Sequence, residues 1–376
     1  MSNKNSKTYQ VIGLMSGSSL DGLDIAFCEL KITDSNSNID WTLIKAETIP
    51  YPEKWQNRLI NLPKQDGFIF AQTHTYFGHF LGELVNQFIS KHQIDPDFIA
   101  SHGHTIFHHP DKRLTVQIGD GAALAATTGY PVINGFRTQD IAINGEGTPI
   151  APAADRYLLK GFDFYLNIGG IANITCDTGS KYIAFDTGPA NQILNSLAQL
   201  LGHEFDEDGK FAAKGQLLPD LLSQIDQIEY FQQVYPKSLD NQWIRQNVLP
   251  LYLSYEASIE DKLHTACVQL ARQTALSIQQ ILQKENINKN SYNMLVSGGG
   301  ALNQFLMTCF EKYCKDITSM TIEIPNKEII LFKEAILMAL MGVLRIENKP
   351  NCFASVTGAN WDTIGGAVHQ GKKKMI

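Results

Sequence analysis

The chain has no excess of positive charge. Its 376 residues carry 31 Lys and Arg against 38 Asp and Glu, a formal net charge of −7. That balance argues against a broad nucleic-acid surface. An anionic ligand would have to be met locally, by backbone N–H groups, a divalent metal or a few cations. Long apolar runs are also missing. The longest candidate, residues 335–344, falls short of the ~20 residues that span a bilayer. The first ten residues are polar and lack the apolar core of a signal peptide. The six cysteines are Cys28, Cys176, Cys267, Cys309, Cys314 and Cys352. Only Cys309 and Cys314 lie close together, and their spacing is not a metal signature. Buried free thiols in a reducing compartment are the expectation, and with them a soluble cytoplasmic protein. Two nucleotide motifs are absent: there is no G-x-x-x-x-G-K-[ST] loop and no strand–G-x-G-x-x-G–helix unit.

What is present suffices for two domains. The chain is long for one compact core, and its 44% hydrophobic share is ample for two. Residues 9–15 and 23–32 read as strands joined by a turn of small residues, with a third strand over 41–49. Apolar positions from Phe77 to Ile89 recur at helical spacing. Short strands follow at 98–101, 115–118 and 131–134. A second block opens with strands at 164–168, 171–176 and 182–185. Helices then extend from Pro189, over 256–284, from Leu302, and over 333–346. Each half thus starts with a β-hairpin, adds strands, then alternates helix and strand, which points to a structural duplication. The expected domains are residues 1–157 and 158–376, with the last segment able to pack back on the first.

Three turns are built from glycine or other small residues: residues 16–22, Gly169-Gly170 and Gly298-Gly299-Gly300. Glycine lets backbone N–H groups come close to an anion, so each turn is a candidate phosphate cradle, or simply a turn. Asp21 can hold a metal through water next to phosphates, or cap its own hairpin. Asp24, three residues on in the following strand, is the other carboxylate of the segment that can serve there. Asp186 reads as the end of a strand just before a helix, where an ionised carboxylate is stabilised. It can then serve as a general base toward a hydroxyl or water, or as a structural cap. The acidic loop Asp206-Glu207-Asp208 reads as solvated. Among the histidines, His102, with Thr105, is a candidate for substrate hydrogen bonding, and metal ligation lacks partners of matching spacing. Arg137 and Asp140 sit in a loop and are candidates for substrate binding: the arginine can bind a carboxylate or phosphate, or the two can simply pair with each other.

Eleven stretches carry a resemblance along nearly the whole chain. They include GLMSGSSLDGLD (13–24), SHGHT (101–105), GFRTQDIA (135–142), NIGGIANIT (167–175), FDTGPANQ (185–192), SGGGALNQFL (297–306) and KEAILMA (333–339). In content and order they resemble the anhydro-N-acetylmuramic acid kinases of the actin-like, hexokinase-like ATPase superfamily. The resemblance implies an α/β fold with two actin-like (ribonuclease H-like) domains flanking an ATP cleft. It implies ATP and Mg2+, hydrolytic opening of the 1,6-anhydro ring, phosphorylation of O6 and a homodimer. Asp186 matches the base that activates water. Gly17, Ser18, Ser19, Leu20, Asp21, Gly22, Leu23 and Asp24 match the ATP segment, joined by Gly169, Gly170, Gly298, Gly299 and Gly300. Arg137 and Glu334 match positions near the sugar. The chain departs from the family's usual residues at Ser18, Ala190, His104 and Glu146. Another anhydrosugar such as levoglucosan, or an ordinary sugar hydroxyl, is the alternative substrate. A non-catalytic nucleotide-dependent switch is the alternative from another class.

Overall fold

The apolar content of the first strands runs on with little alternation, as in a sheet covered on both faces, and the structure, a computed structural model, has one. It describes residues 6–17, 20–33, 39–148, 157–159, 161–179 and 182–373. In β1 (Ser6–Ser16) and β2 (Gly22–Thr33), Tyr9, Val11, Ala26, Cys28 and Leu30 pack on one side. Ile12, Leu14, Leu23, Ile25 and Phe27 pack on the other. Because both faces are covered, the strands read as nearly continuous apolar runs. One face meets the helix Lys327–Ile346 through Ala335, Ile336, Ala339 and Leu340. The other meets the helix Gly67–His92 through Phe77, Leu81, Val85 and Phe88. Each fully buried side chain of that size stabilises the fold by about 1.5–3 kcal/mol. The close approach of the first helix requires glycine in β1: a Cβ at Gly13 would lie 1.9 Å from the Ala335 carbonyl oxygen.

The chain divides into two compact units, Met1–Lys160 with Phe332–Ile376, and Gly161–Leu331. The first unit adds β3 (Ile39–Pro50), β4 (Phe98–His109), β5 (Leu114–Ile118) and β6 (Val132–Asn134) to β1 and β2. The second unit has β7 (Phe164–Ile168), β8 (Ile171–Asp177), β9 (Tyr182–Pro189), β10 (Tyr292–Ser297) and β11 (Met320–Glu323). A last short strand, β12 (Ala367–His369), returns to the first sheet beside β6.

The two sheets repeat one topology. The first runs β12-β6-β4-β1-β2-β3, with β5 on β4, and the second runs β11-β10-β7-β8-β9. In each, three strands form an antiparallel meander and the first of them pairs in parallel with the next strand of the core. The path β3-β2-β1-β4-β6 therefore corresponds to β9-β8-β7-β10-β11. This is the strand order of the actin-like, ribonuclease H-like fold, and it is the duplication suggested by the hairpins. The second unit has its own core, where Leu263, Cys267, Leu270, Ile278 and Ile281 of the helix Ile259–Lys284 face the sheet. All six cysteines are buried and free. Among the described residues, no helix is long and apolar enough to cross a membrane.

Three of the boundaries that differ from the sequence expectation bear on the site. The strand expected to stop at residue 101 continues through the histidines to His109. The strand expected to stop at Phe185 continues to Pro189. Both extensions carry polar residues, so their apolar content gives no sign of them. The helix expected from Leu302 starts at Gln304, after a 3-10 turn over Gly299–Leu302.

Candidate active site

In the first unit, the parallel pairing of three neighbouring strands, β1, β4 and β6, ends at one edge of the sheet. Ser16 of β1 pairs with His104 of β4, and Ser101 of β4 pairs with Asn134 of β6. Residues just past the ends of parallel strands are where open α/β sheets bind ligands. Here those ends deliver Ser16 and Gly17, His102 and His104, and Arg137. Ser16 is buried, and its hydroxyl lies 3.1 Å from His104 Nδ1. Gly103 between the histidines has φ +74, and a Cβ there would lie 2.4 Å from the Ile118 carbonyl oxygen. Only glycine fits that kink, which changes the direction of the chain between His102 and His104. Thr105 Oγ1 accepts a hydrogen bond from Gln117 Nε2 at 3.3 Å.

The turn after β1 is described at Gly17 and from Leu20 onward; Ser18 and Ser19 lie outside the described residues. Leu20 has φ 61, a left-handed conformation, and its N–H faces the Gly17 carbonyl at 3.4 Å. Asp21 is exposed, and its Oδ1 accepts from the Gly22 N–H at 3.0 Å. Gly22 and Leu23 have packing roles instead of open ones. A Cβ at Gly22 would lie 2.5 Å from the Ile49 carbonyl oxygen, and Leu23 is fully buried in the core. Asp24 is half-buried and accepts from Thr48 Oγ1 at 2.5 Å. Burial pushes its carboxyl up to about 6, with Asp21 and Glu334 adding to the rise and the Thr48 bond opposing it.

Glu334 lies on the helix whose Ala335 packs against Gly13, so the β1 glycine fixes its position. Its carboxyl is raised by desolvation and pulled back by Arg137 and Lys333. Its side chain is still reached by solvent. The Arg137 guanidinium is half-buried, and desolvation lowers its pKa against the opposing pull of Glu334. Asp140 differs from its expected substrate role. It is fully buried, with Oδ1 accepting from Thr357 Oγ1 at 2.8 Å and Oδ2 from the Gly147 N–H at 2.8 Å. Both oxygens tie down the loop after Arg137, and no salt bridge joins the two residues among those described.

In the second unit, Asp186 lies inside β9 opposite Asn173, next to a bulge in β9 itself, where Thr187 is the extra residue. It is thus not the helix-capping residue the sequence suggests, since the helix Asn191–Gln199 begins five residues later. Asp186 is half-buried. The Leu239 N–H donates to its Oδ2 at 2.8 Å, and Oδ1 has no hydrogen-bond partner among the described residues. Desolvation raises the carboxyl and the Leu239 bond partly offsets the rise. The Tyr230 hydroxyl donates to the Asp186 carbonyl, and the Lys237 ammonium, lowered by desolvation, sits over the Tyr230 ring. Sequence reading missed Leu239 and Tyr230, which follow Asp186 by 53 and 44 residues with no motif linking them.

The two glycine turns of this unit come together. Ser297 of β10 pairs with Asn167 of β7, so both turns leave the sheet side by side. Gly298 and Gly300 are required by packing: a Cβ would lie 2.6 Å from the Ile168 carbonyl oxygen or 2.2 Å from Ile168 Cγ2. Gly299 and Gly169 have open space, with nearest atoms at 3.8 and 3.5 Å. The carbonyls of Gly169 and Gly170 accept from the N–H groups of Ala190, Asn191 and Gln192. The hairpin therefore already caps that helix. The acidic loop is not simply solvated. Asp206 is buried, and its carboxylate accepts from the N–H groups of Phe211 at 2.8 Å and Ala212 at 2.9 Å. Among the described residues no three His, Cys, Asp or Glu side chains gather to hold a metal.

Comparison with known proteins adds the family. The family model described as anhydro-N-acetylmuramic acid kinase matches residues 9–371. The anhydro-N-acetylmuramic acid kinase of Coxiella burnetii (strain RSA 493 / Nine Mile phase I) is 33% identical over 380 residues, covering 96% of this chain and 98% of that one. That of Methylorubrum populi is 32% identical, covering 96% and 99%. Among solved structures, the activator of the 2-hydroxyisocaproyl-CoA dehydratase from Clostridium difficile with bound ADPNP is 14% identical. It has a TM-score of 0.41 and covers 90% of this chain and 96% of that one. Hexokinase from Schistosoma mansoni complexed with glucose is 10% identical with a TM-score of 0.35, covering 89% and 85%. The chain belongs to the anhydro-N-acetylmuramic acid kinase family, carbohydrate kinases that use ATP.

Proposed function

We propose that the protein opens the 1,6-anhydro ring of anhydro-N-acetylmuramic acid with water and phosphorylates the freed O6 from ATP. The product is N-acetylmuramic acid 6-phosphate, in cell-wall recycling. Family membership over residues 9–371 carries this reading. Asp186 is the general base. One oxygen is fixed by the Leu239 N–H and the other is open, so the carboxylate is oriented yet available. Its raised pKa makes it a stronger base than a solvated aspartate. Asp186 takes a proton from water as that oxygen bonds to the anomeric carbon. The C1–O6 bond breaks, and O6 takes the γ-phosphoryl group while ADP leaves.

The glycine turns are the phosphate grip. Gly17 with residues 18–24 serves in the first unit, and Gly169, Gly170 and Gly299 in the second. Gly298 and Gly300 hold the second grip in shape. Mg2+ fits at Asp21 and Asp24: it needs one or two carboxylates besides phosphate oxygens and water. Asp21 is exposed, and a cation would offset the burial and the neighbouring carboxylates that raise Asp24. Bound there, the metal would supply charge neutralisation at the phosphates. Arg137 binds the lactyl carboxylate, His102 and Thr105 contact the sugar, Glu334 lies near the sugar and offsets the desolvation of Arg137, and Asp140 holds the loop. On the same reading the enzyme is a cytoplasmic homodimer. A panel of anhydrosugars with ATP and Mg2+, products weighed by mass spectrometry, tests it. Anhydro-N-acetylmuramic acid should gain phosphate and one water. Turnover of levoglucosan alone, or of no anhydrosugar, contradicts the proposal.

A further inference from the structure

His102 is 4% exposed, and its tautomer is set by a single bond. Nδ1 lies 3.0 Å from the Gly103 carbonyl oxygen. A carbonyl only accepts, so Nδ1 carries the proton and Nε2 of the neutral ring is a bare lone pair. That Nε2 is buried without a hydrogen-bond partner among the described residues, and so is Arg137 Nε. A buried polar atom without a partner costs about 1–3 kcal/mol, so two on neighbouring segments at a ligand edge call for an explanation. Register places them together: Ser101 pairs with Asn134, His102 follows the first residue and Arg137 comes three after the second. Burial, with the Arg137 charge and His104 adding and the Gly103 bond opposing, lowers the imidazole to about 3. The ring thus stays neutral at working pH and cannot donate from Nε2.

We propose that His102 Nε2 is a fixed acceptor that reads a hydrogen-bond donor on the sugar, next to the group bound by Arg137. This rests on the function proposed above. In anhydro-N-acetylmuramic acid the lactyl ether is at C3, and its two ring neighbours each carry a donor: the C4 hydroxyl and the C2 amide N–H. Either satisfies the lone pair. A group with only acceptors leaves His102 facing another lone pair and is rejected. The site therefore selects the sugar through a neutral acceptor as well as through charge.

The test compares kcat/KM for the native sugar, its 4-deoxy analogue and its N-methylacetamido analogue. It uses wild type, His102→Leu and His102→Gln, which can still present an acceptor. Wild type should reject one analogue by at least about 100-fold, because a buried acceptor is left unpaired. That analogue identifies the donor. His102→Leu should bring the ratio close to 1 by losing activity on the native sugar, and His102→Gln should keep most of it. Equal rates of wild type on all three sugars, or an undiminished ratio in His102→Leu, overturn the inference and leave the kinase reading intact. Wild type that turns over no anhydrosugar overturns both. Should His102→Leu not fold, 15N spectra of histidine-labelled wild type decide. Nε2 should be unprotonated in the free enzyme and shift on saturation with the native sugar but not with the rejected analogue. A protonated Nε2, or no shift, contradicts it.

Discussion

The Leu239 N–H donates to Asp186 Oδ2 at 2.8 Å, while the other carboxylate oxygen is without a partner among the described residues. One bond orients the base and keeps part of its charge stabilised, and burial supplies the basicity. Asp186→Asn keeps the shape and the acceptor for Leu239 but cannot take a proton. It should fold with wild-type Tm, bind ATP with an unchanged Kd, and lose turnover by about 100- to 10,000-fold. Wild-type turnover in the variant would remove Asp186 from the base role.

The same carboxylate sets an acid limb. Asp186 works ionised, and its pKa is above the ordinary aspartate value. Activity should therefore fall as pH falls, with the midpoint of kcat/KM above the ordinary aspartate value. A pH–rate profile with a midpoint at or below the free aspartate value contradicts this.

Asp24 trades stability for function. Its folded pKa, about 6, exceeds its reference value of 3.8, so the folded state holds this proton more tightly than the unfolded one. The stabilising contribution is complete below about 4 and is lost as pH rises through about 6. Asp24→Asn mimics the protonated form. Near pH 4 its Tm should match wild type. At pH 8 it should be more stable by on the order of 1 kcal/mol after allowance for solvent screening, with a higher KM for Mg-ATP. A Tm difference that does not change with pH contradicts the assignment.

The triple glycine separates packing from ligand approach. Gly300→Ala places a methyl against Ile168 Cγ2, an overpacking worth about 1–3 kcal/mol, and should lower Tm by several degrees. Gly299→Ala meets nothing nearer than 3.8 Å, so Tm should hold while KM for ATP rises. Unchanged ATP kinetics in a folded Gly299→Ala would exclude Gly299 from the phosphate grip.

Arg137 and Asp140 should separate in the same way. Arg137→Ala should cut kcat/KM for the lactyl sugar by 100-fold or more while leaving a neutral anhydrosugar unaffected. Asp140→Asn should cost stability first, since a buried acceptor pair at Thr357 and Gly147 is disturbed. Equal losses on both sugars in Arg137→Ala contradict the carboxylate contact.

Much of this was legible in the sequence because local patterns carried it. The β1–β2 hairpin, the helical spacing from Phe77 and the inward face of Ile259–Lys284 follow from periodicity alone. What was not legible depended on partners distant in sequence. Asp186 read as a helix cap because a Thr-Gly-Pro run after an apolar strand resembles a stop, yet pairing with β8 extends the strand to Pro189. Asp206 read as solvated and Asp140 as a substrate contact or a partner of Arg137, but two backbone N–H groups hold Asp206, and the Thr357 hydroxyl and the Gly147 N–H hold Asp140. Gly298 and Gly300 read like Gly299, and only the position of Ile168 separates them.

The most direct measurement is turnover of anhydro-N-acetylmuramic acid with ATP and Mg2+ in 18O-labelled water. Product should be weighed early, against preformed unlabelled product in the same water as the control for anomeric exchange. One labelled oxygen at the anomeric carbon, with phosphate on O6, is the predicted result. A phosphorylated product without label, or with its anhydro ring intact, would contradict water attack under Asp186.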